Sequence, residues 1–436
     1  MKLYKEFFRY VIPSMLAFAL SGLYGIVDGF FLGNEMGDQA LAAINVAYPL
    51  TAFLQAVGTG IGMGGAVQFT INKAQKKEEN QQKCLGLTFL LLVLVGTALT
   101  PLFFFGNQTL LTLLGAEGKL LALGSEYMNW IAFGCLFQIL GTGMVPFMRN
   151  LGSAVIAMAA MMLGAVTNII FDYVLIWVFH KGMMGAAIAS VMGQVCAFFV
   201  CLIYLLWKKE RMRLKGVGRD LLKKILFTAC SPFGLSFAPN IILILVNLNA
   251  VYHGGDFAVT CYAPISYITY AVMLLLQGVS DGCQPLVSLF YGKGERAEAR
   301  RIYHMSRNFS LLVGAASFLV LTWLGSPVIA FFGTSHKVTE YVTEILPIFL
   351  IGLLFAGVSR AVIAYFYATE ENGRAYVLIY GESVLLGILL WILPSFMGIM
   401  GTWVSVMVSQ ILVALLSQVF LIIGKDTGFR FIKSPF

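Results

Sequence analysis

Twelve apolar runs, each long enough to cross a bilayer, divide this 436-residue chain almost without remainder. A hydrocarbon core about 30 Å thick needs about 20 apolar residues in a helix rising about 1.5 Å per residue. That requirement predicts helices near residues 8–33, 40–71, 85–105, 121–148, 153–179, 183–207, 225–252, 257–291, 306–332, 339–368, 375–397 and 401–424. Such a pattern leaves one fold class, an all-α polytopic membrane protein, because lipid offers no partner for unpaired backbone groups. Composition agrees: 59% of residues are hydrophobic and 11% charged, against about 25% charged in an ordinary soluble domain. The charged start MKLYKEFFR runs straight into a span too long for a signal-peptide core, so the first span is expected to be retained.

The basic residues test the count of spans. Cytoplasmic loops collect Lys and Arg, and alternate loops carry 25 of the 29, while Lys119, Lys181 and Lys337 fall on the other side and Arg360 inside a span. A span too many or too few would scramble that partition. Both termini are therefore expected on the cytoplasmic face of the cell membrane. The net charge of +8 is confined to short loops, which is a pattern of membrane topology and anionic headgroups, so nucleic acid is not an expected partner.

The longest basic loop, KKERMRLKGVGRDLLKK, lies midway and divides the chain into a first lobe at 1–207, a linker at 208–224 and a second lobe at 225–436. An internal repeat supports the division. An offset of 219 lays Pro13 on Pro232 and Asp28 on Asn247, 218 lays Gly37-Asp38 on Gly255-Asp256, and 216 lays Met184-Gly185 on Met400-Gly401 and Gln194 on Gln410. Six spans per lobe return the chain to its starting side, so the two lobes are expected to be parallel repeats related by a pseudo-twofold axis along the membrane normal. Pro13, Pro146, Pro232, Pro239 and Pro285 are candidate kinks.

Several function classes drop out. Seven cysteines are scattered through apolar segments with no CxxC pair, and the four histidines show no metal-binding spacing, so neither a disulfide framework nor a metal centre is expected. No Walker A motif and no long soluble segment is visible, so ATP is not an expected energy source. An acyltransferase-like enzyme would need a His-Asp or Ser-His arrangement near an interface, and none is visible.

The deep acids are what remain. An ionised Asp in hydrocarbon costs roughly 2.5 to 3.5 kcal/mol on insertion scales, and Asp28 sits in the run VIPSMLAFALSGLYGIVDGFFLG, with Tyr24 one turn before it. Asp172 follows Asn168 by four residues, so both occupy one helix face. Ser190 and Gln194 stand four apart in the sixth span. Carboxylate, amide and hydroxyl oxygens suit a hard monovalent cation or a proton. Taken singly, Asn168 and Ser190 are ordinary interhelical hydrogen-bonding residues, and Asp28 is an acid that can reach back toward headgroup water; the cluster is what points to a site. Asp281 can pair with Arg360 in a structural ion pair or serve transport, and Glu382 can pack as a buried polar group or face a cavity.

These features resemble the multidrug and toxic compound extrusion (MATE) transporters over nearly the whole chain: twelve spans in two lobes, a proline fifteen residues before the span-one acid (Pro13 and Asp28), the outward loop GNEMGDQALAA, and a glycine-rich second span leading into NKAQKKEEN. The resemblance implies a secondary active exporter, not an enzyme and without a cofactor, in which Na+ or H+ enters while an amphipathic or cationic drug leaves by alternating access. It implies a cation or proton site at Tyr24, Asp28, Asn168, Asp172 and Ser190, with Na+ as one occupant; the residues themselves add Pro13 as an expected hinge and Gln194, Asp281, Arg360 and Glu382 as secondary candidates. A monomer surrounded by membrane lipids is expected. The seventh span has no acid where some members carry one, which favours coupling in the first lobe. A flippase for lipid-linked saccharides or cell-wall precursors is the alternative; related exporters with that cargo often carry more deep bases than the single Arg360 seen here.

Overall fold

The computed structural model describes residues 2–332 and 334–426, without the side chains of residues 23–26, 38 and 424–426. All regular elements among the described residues are helices: α1 Lys2–Met36, α2 Asp38–Ala74, α3 Glu78–Leu113, α4 Gly118–Phe133, α5 Cys135–Asn150, α6 Ala154–Asp172 running into a π-helix Tyr173–Val178, α7 Gly182–Trp207, α8 Arg219–Gly292, α9 Arg296–Trp323, α10 Gly325–Ala330, α11 His336–Ala368, α12 Asn372–Met397 and α13 Ile399–Asp426. Ten are long and apolar enough to cross a membrane, and α4 with α5 make an eleventh span bent by 62°. The 74-residue α8 is two spans joined at Gly255, whose φ of 62° is not helical. The result is twelve spans, six in each half of the chain.

The helices overshoot the expected ends. α2 is 37 residues long, or roughly 55 Å at 1.5 Å per residue, well beyond the hydrocarbon core. Hydropathy stops at the headgroups, whereas the backbone hydrogen-bond ladder does not. The candidate kink prolines lie within helices. Pro13 and Pro146 sit inside α1 and α5, and in α8, which holds Pro232, Pro239 and Pro285, the non-helical residue is Gly255. A proline in a bundle loses one backbone bond while its neighbours hold the rod. The sharp break of the fourth span comes at Gly134, where any side chain would strike Val191 of α7. Arg149, expected in a loop, lies buried in the last turn of α5, with its guanidinium 5.7 Å from the centre of the Phe18 ring.

Two compact units follow along the chain, Met1–Phe237 and Ala238–Phe436. In the first, the core is built from α2, α3, α5 and α7 around residues such as Leu54, Phe69, Leu85, Phe147 and Cys201. The opening turns of α8 belong to this unit. Gly60 and Gly64 of α2 let Ile225, Ala229 and Phe233 approach closely, and Phe53 meets the rings of Phe233 and Phe237, each at 5.8 Å. In the second unit, buried Trp403 stacks on Tyr262 at 5.6 Å and its Nε1 donates to the Tyr341 hydroxyl at 3.2 Å.

The repeat seen in the sequence recurs in the backbone. Gly37 and Gly255, 218 residues apart, both adopt left-handed φ values of 79° and 62°, the conformation glycine reaches without a Cβ penalty. Gln194 lies against Gly141, and Gln410 against Gly352, so each half seats its sixth-span glutamine on a fourth-span glycine.

Candidate functional site

Three helices of the first unit converge on the acids. α6 and α7 approach through Gly164 and Gly193: a methyl group at either would come 2.8 Å from the carbonyl oxygen of the other. Small residues at such crossings let backbones touch, and here the contact brings Asn168 and Asp172 of α6 beside Ser190 of α7. Asp172 ends the α-helical segment, and the next six residues, Tyr173–Val178, form the π-helix. π-helical turns insert in α-helices chiefly where function needs a re-aimed side chain. α1 packs against α6 and supplies Asp28.

Asp28 interacts through its side chain with Asp172, Asn168 and Ser190. The cluster is dry. Asn168 and Asp172 are buried, and Oδ1 of Asp28, both carboxylate oxygens of Asp172 and both polar atoms of Asn168 lack a hydrogen-bond donor or acceptor in good geometry. Native proteins seldom leave buried polar atoms so. Two facing carboxylates cannot satisfy one another, since neither donates when ionised; a proton or a cation between them resolves the repulsion. The donor set, two carboxylates, an amide oxygen and a hydroxyl, fits Na+ as well as H+.

The structure thus gathers Asp28, Asn168, Asp172 and Ser190. The side chain of Tyr24 lies outside the described residues. Gln194 rests against Gly141, where a methyl group would come 2.6 Å from its Oε1. Pro13 stands in the continuous helix α1. Beyond the acids, toward the end with few basic residues, Phe31 and Trp177 meet at 4.8 Å and Tyr173 joins them, tying α1 to the π-helix. His180 Nδ1 and Glu35 Oε1 hydrogen-bond at 2.6 Å just outside that cluster.

The second unit has a neutral counterpart. Asn249 of α8 donates from Nδ2 to the Leu390 carbonyl of α12 at 2.9 Å, and its Oδ1 accepts from Thr402 of α13 at 2.6 Å. A seventh-span residue therefore binds the eleventh and twelfth spans as Asp28 meets the fifth and sixth, but with no acid. Sequence reasoning pointed to Asn247 and missed Asn249, whose signal is an amide two residues further along the same span. It also missed Gln277. Gln277 Nε2 donates to Asp281 Oδ1 at 2.6 Å, and its Oε1 accepts from Arg360, so one amide bridges acid and base. Glu382 and Asp281 are the acids whose charges reach Arg360.

Comparison with known proteins follows this geometry. The MatE family model matches twice, at residues 13–174 and 233–393, with starts 220 residues apart. The multidrug export protein MepA of Staphylococcus saprophyticus is 22% identical over 427 residues, 97% of this chain and 94% of its own. MepA of Staphylococcus aureus strain MRSA252 is 24% identical over 434 residues, with the same coverage. Among solved structures, an outward-facing MATE transporter of the MOP superfamily superposes with a TM-score of 0.90 at 20% identity, covering 98% of this chain and 97% of the other. A Pyrococcus furiosus MOP superfamily transporter, described as having a binding pocket of reverse polarity, gives 0.91 at 20% identity with the same coverage. With both halves matched by the family and the fold shared along its length, the chain belongs to the MatE family of transporters.

Proposed function

We propose that this protein is a secondary active multidrug exporter of the cell membrane, exchanging amphipathic or cationic organic compounds for Na+ or H+ by alternating access. The relatives that bear the name multidrug export protein support the class of cargo. The observation that carries the coupling site is the meeting of Asp28 and Asp172 beside Asn168 and Ser190, with Oδ1 of Asp28 and both carboxylate oxygens of Asp172 buried and without a donor in good geometry. In this reading the carboxylates hold the ion, Asn168 Oδ1 and the Ser190 hydroxyl complete its shell, and Tyr24 stands one turn before Asp28. Pro13 has no N–H to give the Arg9 carbonyl, and serves as the hinge of α1. The ion and the drug must favour different states, because a ligand that binds both equally shifts nothing.

The second unit is read as uncoupled. Asn249 satisfies its own hydrogen bonds, and Gln277 joins Asp281 to Arg360 within the protein, so Asp281, Arg360 and Glu382 hold helices together. The bias of Lys and Arg toward alternate loops supports both termini in the cytoplasm, and the working unit is read as a monomer. The test is efflux of a cationic dye from proteoliposomes under separately imposed Na+ and pH gradients. One of the two gradients is expected to drive efflux by wild type, and neither by Asp28→Asn. Efflux by Asp28→Asn at the wild-type rate, or no response of wild type to either gradient, contradicts the proposal.

A further inference from the structure

On the basic-loop side of the second unit, α9 and α13 both pack on α11, which forms the floor between them. A pocket of about 160 Å³ opens there, walled by Arg300, Tyr303, His304 and Arg307 of α9 and by Gln418 and Ile422 of α13. Residues 300, 304 and 307 recur at helical spacing, so three basic side chains share one face. The wall is braced. Tyr303 is buried, its hydroxyl lies 3.5 Å from Gln418 Oε1, and the Arg307 guanidinium sits 6.0 Å from the centre of its ring. Arg300 reaches the phenol of Tyr365 on the floor. Among the described lining residues none is acidic, and Glu371, whose charge reaches Tyr365, pairs with Arg374.

Further into the membrane the same two helices carry exposed aliphatic side chains, Leu311 and Leu312 on α9 and Leu415 and Val419 on α13. A cationic mouth above exposed aliphatic walls matches a molecule with an anionic head and hydrocarbon chains, whereas a free anion would use the mouth alone. Basic pockets between spans on the side of positive loops are a recurrent form of headgroup recognition, and Arg307, about three turns inside α9, can extend its stem along apolar surface toward the headgroup level.

We propose that this groove binds an anionic phospholipid, with its phosphate held by Arg300, His304 and Arg307 and one acyl chain lying between α9 and α13. The test is native mass spectrometry of purified protein titrated with phosphatidylglycerol or phosphatidylcholine, comparing wild type, Arg300→Gln, Arg307→Gln, the double variant, and a control in which Lys223→Gln and Lys224→Gln remove two charges elsewhere. Phosphatidylglycerol binding is expected to weaken about fivefold for each arginine removed, the equivalent of ~1 kcal/mol per basic residue near an anionic surface, and to be unchanged in the lysine control. Lipid-free thermal unfolding of the single variants should match wild type. Equal binding of phosphatidylcholine, an equal loss in the lysine control, displacement by millimolar inorganic phosphate, or undiminished binding in both single arginine variants overturns the proposal.

Discussion

At the scale of single residues, the account rests on polar atoms left unsatisfied in one place and satisfied in another. One carboxylate oxygen of Asp28 and both of Asp172 lack donors, while Asn249 bonds through both its Nδ2 and its Oδ1. Asp172→Asn is therefore expected to abolish gradient-driven efflux with normal insertion, checked by transport and by membrane expression, while Asn249→Ala should lower stability and leave ion selectivity unchanged. Gln277 carries a different cost. Replacing it by Leu removes the amide that bridges a buried acid and a buried base, and the loss of a buried hydrogen-bonding partner to a charged group costs about 1.5 to 3 kcal/mol; thermal unfolding in detergent should register a drop of that order. The acids and their spacing were legible in the sequence, because an ionisable residue in an apolar run stands out. Gln277 and Asn249 were not, since an uncharged amide in a span has many uses and only the position of its neighbours selects one.

The helices explain why those residues meet. Gly164 and Gly193 set the distance between α6 and α7, and a Gly193→Val substitution is expected to push them apart at a cost of about 1 to 3 kcal/mol and to reduce efflux, read by unfolding and dye transport together. The π-helix at Tyr173–Val178 aims Trp177 at Phe31. Deleting Val174 would restore α-helical phasing and swing Trp177 off that ring, so efflux should fall sharply while the protein still reaches the membrane. Neither device was visible beforehand. A π-turn has no composition signal in an apolar run, and the break at Gly134 depends on Val191 of another helix. The prolines, which do carry a local signal, lie within helices that continue past them.

For the molecule as a whole, twelve spans follow from lengths of apolar sequence, and the bent pair α4 and α5 together with the break at Gly255 reconcile that count with ten long helices. The duplication also survives at every level: in sequence offsets, in the two family matches, in the left-handed glycines 37 and 255, and in the two sixth-span glutamines seated on glycines. What the duplication does not preserve is the acid cluster, and the proposal of coupling in the first unit rests on that asymmetry. Topology can be checked separately: in a cysteine-free background, Lys119→Cys should react with an impermeant maleimide on whole cells and Lys77→Cys should react only after lysis. The central claim is tested most directly by adding a cationic dye to purified protein in weak buffer and measuring the H+ and Na+ released. Dye-induced ion release is predicted for wild type and its loss for Asp28→Asn and Asp172→Asn; full release from either variant would contradict the account.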